Sequence, residues 1–255
     1  MRGFPGMREE IVFPRKSRKD PAIGPVAVVA AMRKDLTLTR RTMGIGGKAS
    51  CGIAGSKLYQ GGRGCEDVSL VGPVLGSPHA VLVLEKLVVL GAKRIVFFGW
   101  CGSIDRRVQN GDFVVPDKTL IGEGTSMYYA SKHGYPRPSS SLLKAIKEGV
   151  EGCSIPCHMG PVWSTDAPYR ETRQRVLSLQ REGVIGVDME VSALFSAAQF
   201  RSVECGALLV VSDELGSLRW KPGFSTIRFR RSRRKAAEVV SSICNKLLRA
   251  EESKD

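Results

Sequence analysis

The chain has no long apolar run. Its best candidates, Ala80 to Leu84 and Leu87 to Leu90, are parted by Glu85 and Lys86, far short of the ~20 residues that cross a bilayer. No membrane partner is expected. Disulfide patterning is absent too. The seven cysteines, at 51, 65, 101, 153, 157, 205 and 244, are odd in number, irregular in spacing and without a C-x-x-C pair, which fits reduced thiols. Histidine is scarce, at three residues. Cys153 and Cys157 stand near His158, but a second ligand pair is missing and Pro156 interrupts the spacing, so no metal is expected. His79 and His133 are expected as structural or surface residues. Met1 to Asp20 mixes Arg, Lys, Gly and Pro with no apolar core of signal-peptide length, and residues 1–22 read as a flexible basic arm on a cytoplasmic protein.

What is present is a core-forming composition: 255 residues, 42% hydrophobic, with 28 Gly. That suits one α/β domain of upper-normal size. The 39 Lys and Arg against 25 Asp and Glu give a net charge of +14, densest in Arg228-Phe-Arg-Arg-Ser-Arg-Arg-Lys235. Such charge attracts phosphates of any kind. The cluster nevertheless opens a C-terminal helical pattern, Ala236 to Leu248, with Val239, Val240, Ile243, Leu247 and Leu248 at helical spacing, and is read as the helix's solvated face. No nucleic-acid-binding signature accompanies it, so nucleic acid is not expected as a partner.

Strand and helix patterns alternate. Strands are expected at Val26 to Ala31, Arg94 to Phe98, Asp112 to Pro116, Pro156 to Val162, Val184 to Val187 and Ala207 to Val211. Gly-rich hairpin-like segments are expected from Met43 to Val71, with a turn at Gly61-Gly62. Helices are expected at Pro78 to Leu90, Ser139 to Val150, Tyr169 to Arg181 and Ser192 to Phe200. This alternation implies a largely parallel or mixed sheet covered by helices, with ligands beyond the strand ends.

Candidate site residues fall at those ends. Val184-Ile-Gly-Val-Asp-Met-Glu-Val places Asp188 and Glu190 where a strand turns into a helix. A carboxylate held there could accept both hydroxyl protons of a ribose cis-diol, or serve the helix start as a cap. Gly99-Trp-Cys-Gly-Ser103 reads as a turn whose glycines allow close approach of backbone N–H groups to a ligand. Asp213 follows a buried strand, where a carboxyl group could donate a proton or cap a helix. Trp163 offers a flat face for a heterocycle or for the core.

Taken in order, these elements resemble the nucleoside phosphorylase and nucleosidase superfamily, from Val26 to about Leu248. The resemblance is carried by Gly72-Pro-Val-Leu-Gly-Ser-Pro78, Gly91-Ala-Lys-Arg-Ile-Val-Phe-Phe-Gly-Trp-Cys-Gly-Ser103 and Gly111-Asp-Phe-Val-Val115. Downstream stand Glu123-Gly-Thr-Ser126, Trp163-Ser-Thr-Asp166, Val187-Asp-Met-Glu190 and Ser212-Asp213. It implies a single-domain three-layer α/β/α phosphorylase/hydrolase-like fold with a central mixed β-sheet over residues 23–250, followed by a disordered tail, 251–255.

The resemblance also implies roles. Glu190, with Met189 beside it and Asp188 nearby, would hold the ribose; Cys101, Gly102, Trp163, Val187 and Ser212 would surround the nucleoside; Asp213 would protonate a purine-like leaving base. Arg33 matches a phosphate-binding Arg, although the Gly that normally precedes it is absent, with Ser103 and Thr125 as further phosphate contacts. Phosphorylases of this type carry an Arg on the strand entering the Gly-x-x-Gly turn and a Ser or Thr inside it. Here those places hold Phe97 and Trp100. Read instead against the nucleosidase Gly-Ala-Met-Glu-Glu-Glu pattern, Asp35 falls where a water-activating Glu stands.

The leading expectation is phosphorolysis of a purine-like nucleoside to free base and ribose 1-phosphate, a pentosyl transfer of purine salvage, with inorganic phosphate as co-substrate and no cofactor. Hydrolysis by Asp35-activated water, and a non-catalytic or nucleic-acid-associated protein on the same fold, are the alternatives. The resemblance further implies a homo-oligomer, as dimer, trimer or hexamer.

Overall fold

The chain is described by a computed structural model over residues 10–61, 67–129 and 135–252; Gly62, Cys65, His133 and the two chain ends lie outside these residues. Among the described residues, ten strands form one mixed sheet: β1 (Val26–Ala30), β2 (Cys51–Ile53), β3 (Ser56–Gln60), β4 (Val68–Gly72), β5 (Arg94–Ser103), β6 (Phe113–Gly122), β7 (Cys157–Thr165), β8 (Gly186–Asp188), β9 (Glu204–Glu214) and β10 (Lys221–Pro222). The helices are α1 (Arg33–Thr42), α2 (Ser77–Leu90), α3 (Ser140–Val150), α4 (Arg173–Arg181), α5 (Val191–Phe200) and α6 (Ile227–Glu252).

Side chains alternate across a strand, so the continuous apolar runs of β1, β5 and β9 must be covered on both faces. Ala27, Val29, Ile95, Phe97, Ala207 and Leu209 point into a core closed by α2 and α5. Val26, Val28, Val96, Phe98, Leu208 and Val210 point into a second core closed by α1, α3 and α6. These are the two helical layers expected around a central sheet. A smaller cluster under α4 joins Trp163, Val176, Leu179, Val187 and Leu215.

The sheet also closes on itself. β5 pairs with β9 in parallel and with β8 antiparallel, while β9, β6, β7 and β8 pair in turn. Five strands thus form a ring, and β1, β4, β3 and β2 extend from β5 as an open wing. In the β5–β9 ladder, Cys101 opposes Val211 but Gly102 opposes Asp213. Ser212 is the extra residue, and such a shift re-aims the side chains beside it.

Several expectations need correction. Gly99 to Ser103 is not a turn: β9 pairs with it, and β5 runs unbroken to Ser103. Tyr169 to Arg181 is not one helix. Pro168–Arg170 is a 3-10 turn, and α4 starts only at Arg173, where the Thr172 hydroxyl accepts the Arg175 N–H at 3.3 Å. Helix α1 was not expected. Residues 10–22, expected within a flexible arm, are fastened to the body: Asp20 pairs with Lys86 at 2.5 Å, Ala22 O accepts from Gln60 at 2.6 Å, and Glu10 pairs with the buried Arg201 at 3.2 Å. No described helix is long and apolar enough to cross a membrane.

The contact of α3 with β9 depends on Gly206, where a Cβ would lie 2.8 Å from Ile146 Cδ1 and 2.9 Å from Leu142 Cβ. Gly206→Ala should therefore overpack the second core and lower stability by about 1–3 kcal/mol. Denaturant titration against the parent chain measures this.

Candidate active site

The ring strands deliver their ends to one cavity of about 520 Å³. β5 contributes Trp100, Cys101 and Gly102; β8 and the turn after it contribute Val187, Asp188, Met189 and Glu190; β9 contributes Ser212 and Asp213. Gly102 permits this convergence, because a Cβ there would meet Leu215 Cδ1 at 2.7 Å and Asp213 Oδ2 at 3.3 Å.

The two carboxylates read as a possible diol clamp have separate tasks. Asp188 Oδ1 accepts the Ser164 hydroxyl at 2.5 Å, and Oδ2 accepts the N–H groups of Glu190 and Val191 at 2.9 and 2.7 Å. It fastens the start of α5 and has little acceptor capacity left. Glu190 is different. Its Oε1 accepts the Gly76 N–H at 2.7 Å, the Met189 N–H also supports the carboxylate, and the side chain lines the cavity. Gly76 takes φ +77°, a glycine conformation, directly before α2. The neighbouring Ser77 hydroxyl binds Met189 O at 2.8 Å. The Gly72-to-Pro78 block therefore orients the Glu190 turn.

Burial first, and the Asp188 carboxylate after it, push Glu190 upward from its ordinary range. Burial likewise raises Asp188, opposed by the hydroxyl and amide donors around it. A ligand offering two hydroxyl protons to Glu190 would favour its ionised form and release a proton on binding. Buried beside this pair, Glu123 accepts the Ser192 hydroxyl at 2.9 Å and the Thr125 N–H at 2.6 Å.

Asp213 stands elsewhere in the cavity lining. The Ser212 hydroxyl lies 2.6 Å from its Oδ1, and the Trp220 indole N–H donates to Oδ2 at 2.8 Å. Glu171, Trp220 and Phe224 also line the cavity and were missed from sequence. The last two sit in Trp220-Lys-Pro-Gly-Phe224, whose paired aromatics around a Pro-Gly turn were a usable signal in a chain only 7% aromatic. Glu171 gave none. Burial, and then the Asp213 carboxylate, push Glu171 up to about 7.

Five sequence candidates fall outside the lining. Trp163 packs its indole edge over Gly122, where a Cβ would lie 1.9 Å from Nε1, and the Arg175 guanidinium covers its ring at 5.0 Å. It is a core residue. Ser103 is fully buried with its hydroxyl unpartnered, and Thr125 sits at the 3-10 turn beyond β6. Arg33 is exposed at the start of α1, next to Met32, which does line the cavity. Asp35 is shut away from it. One oxygen accepts from Arg233 at 2.6 Å and the other from the Trp100 indole at 2.5 Å. Asp35 has no exposure, and both of its oxygens are engaged by these donors.

That arrangement also corrects the reading of the basic cluster. Arg233 is not on a solvated face: it is buried, with its guanidinium 5.1 Å from the Trp100 ring, and Phe229 meets that ring edge-on at 4.9 Å. Phe97, the other departure at the expected phosphate contacts, is wholly buried in the core.

The profile of the phosphorylase superfamily matches residues 25–249, and the chain belongs to that superfamily of nucleoside phosphorylases and nucleosidases. It is 27% identical over 149 residues to a guanosine phosphorylase of Halorubrum lacusprofundi, covering 58% of this chain and 62% of that one. It is 30% identical over 161 residues to a DeoD-type purine nucleoside phosphorylase of Shewanella oneidensis, covering 61% and 65%. The matches thus span about six tenths of these relatives' lengths. The fold is shared with uridine phosphorylase from Vibrio fischeri ES114, at a TM-score of 0.74 and 20% identity over 88% of this chain and 91% of that one.

Two outcomes follow from the buried charges. Arg233→Ala leaves Asp35 buried without its cation and should cost about 3–5 kcal/mol, read as a lowered denaturant midpoint. Because the Glu190 value is raised on folding from 4.5, the folded chain holds a proton that the unfolded chain releases. Its stabilising contribution is full below the ordinary glutamate range and is lost as pH rises through the raised value. Thermal melts across this range should show ligand-free protein weakening with pH, and Glu190→Gln should flatten that slope.

Proposed function

We propose that this chain cleaves the N-glycosidic bond of a purine nucleoside, with phosphate as acceptor, to give free base and ribose 1-phosphate. The observation that carries this reading is the pairing, in one largely apolar cavity, of the buried Glu190 carboxyl group with Asp213. Glu190 accepts the ribose hydroxyls. Asp213 gives a proton to the departing base. As the bond breaks, the sugar becomes oxocarbenium-like, so protonating the base and presenting an anion below the sugar both lower the barrier. The names of the guanosine and purine nucleoside phosphorylase relatives support both the purine base and the phosphate.

Phosphate would lie beside Met32 at the start of α1. Helix N-termini offer free N–H groups and a positive pole to anions, and Arg33 adds a side-chain charge there. No cofactor enters this chemistry. A second reading, hydrolysis, is favoured by one observation: the charged side chains lining the cavity among the described residues are Glu171, Asp188, Glu190 and Asp213, all carboxyl groups. Neutral water meets less repulsion there than phosphate does.

Purified protein incubated with a nucleoside panel, with and without phosphate, separates the readings by product. Phosphorolysis gives ribose 1-phosphate only when phosphate is present; free ribose in phosphate-free buffer would replace it with hydrolysis; no turnover in either condition sinks both. Glu190→Ala should lower kcat/KM by about 10- to 100-fold, the worth of hydrogen bonds to a charged group. It should also shrink the preference for ribosides over 2'-deoxyribosides.

A further inference from the structure

One oxygen of Asp213 is bonded by a side chain from outside β9, that of Trp220. Trp220 precedes the two-residue strand β10, which pairs Lys221 with Glu214 and Pro222 with Asp213. The segment is fastened down at several points. Gly223 N–H donates to Ser212 O at 2.9 Å, and the Thr226 hydroxyl donates to Asn110 Oδ1 at 2.6 Å. The Asn110 amide in turn donates to Val211 O and Ser212 O, at 3.0 and 2.9 Å. Phe224 lies 6.4 Å from the Trp220 ring and 6.1 Å from Trp100. The strap that follows Trp220 thus fixes its indole beside Asp213.

The two contacts on the Asp213 carboxyl differ in kind. An indole N–H is a donor only, whereas a hydroxyl both donates and accepts and turns to suit. The Ser212 hydroxyl has a second acceptor within reach, Cys101 O at 3.2 Å, besides Asp213 Oδ1 at 2.6 Å. It can vacate Oδ1. Trp220 cannot accept a proton from Oδ2, so while its bond of 2.8 Å stands, the proton of a neutral Asp213 has only Oδ1 to occupy.

We propose that Trp220 is a positioning residue for the acid: its indole N–H reserves Oδ2 and so directs the transferable proton to Oδ1, with Ser212 turning between Oδ1 and Cys101 O. The inference rests on the reading of Asp213 as the proton donor. In the transfer step the Oδ1–H bond breaks and a bond from that hydrogen to N7 of the purine forms. The electron pair of the C1'–N9 bond passes into the base, and the acceptor oxygen bonds to C1'. Asp213 is left as a carboxylate that again accepts from Ser212 and Trp220, and it regains its proton from solvent.

The test compares two substrates. Guanosine needs its base protonated to leave; N7-methylguanosine already carries the positive charge there and does not. Trp220→Phe keeps a ring and removes the N–H, and at 63% exposure the side chain is not a core element. The expected result is a fall of kcat/KM on guanosine by about 10-fold or more, part of the ~100- to 10,000-fold that a general acid contributes, with a much smaller fall on N7-methylguanosine. Asp213→Asn should show the same substrate pattern more deeply. Equal losses on both substrates would assign Trp220 to binding or folding and overturn the proposal, as would no loss on either. A parent chain that turns over neither substrate overturns the reading of the reaction itself, and this inference with it.

Discussion

The ten-pair parallel ladder between β5 and β9 is the constraint on which the rest of the molecule depends. It closes the five-strand ring, separates the two cores and fixes how far the ends of both strands project. Its single shift, after Cys101, places Ser212 out of register and brings Gly102 opposite Asp213. Without that extra residue, the alternation of side chains would send Asp213 to the opposite face. The cavity is therefore a product of register as much as of residue type.

Charge inside the cavity is managed by giving each carboxylate a different set of donors. Asp188 is consumed by Ser164 and two backbone amides; Glu190 accepts from the Gly76 and Met189 backbone; Asp213 is held by a serine and a tryptophan. Groups of one type thus meet three different surroundings in one space. This follows the general rule that environment, rather than identity, assigns roles to paired acids.

Much of this was legible in the sequence because local chemistry decides it. The apolar runs of β1, β5 and β9, the Pro-headed α2 and the carboxylates after β8 all announce themselves through periodicity or position. Eight of the predicted site residues, Cys101, Gly102, Val187 to Glu190, Ser212 and Asp213, do line one cavity. What escaped was set by distant partners. Trp163 turned to the core because Gly122 leaves a slot for its indole. Asp35 and Arg233 found each other across 198 positions, a pairing that no local pattern encodes, and a run of eight mostly basic residues naturally suggested solvent. Glu171 reaches the cavity through an irregular turn after β7, where neither helical nor strand periodicity applies.

The Asp35–Arg233–Trp100 cluster bears on the order in which the molecule acquires function. Its three members come from the first fifth, the middle and the last tenth of the chain. Contacts of such separation close late, because the loop entropy must be overcome before they contribute. The wall of the cavity that Trp100 forms is thus unsupported until α6 docks. A chain with the sheet formed but α6 undocked would hold Glu190 and Asp213 in place, yet present them in a pocket whose Trp100 side is still open to water.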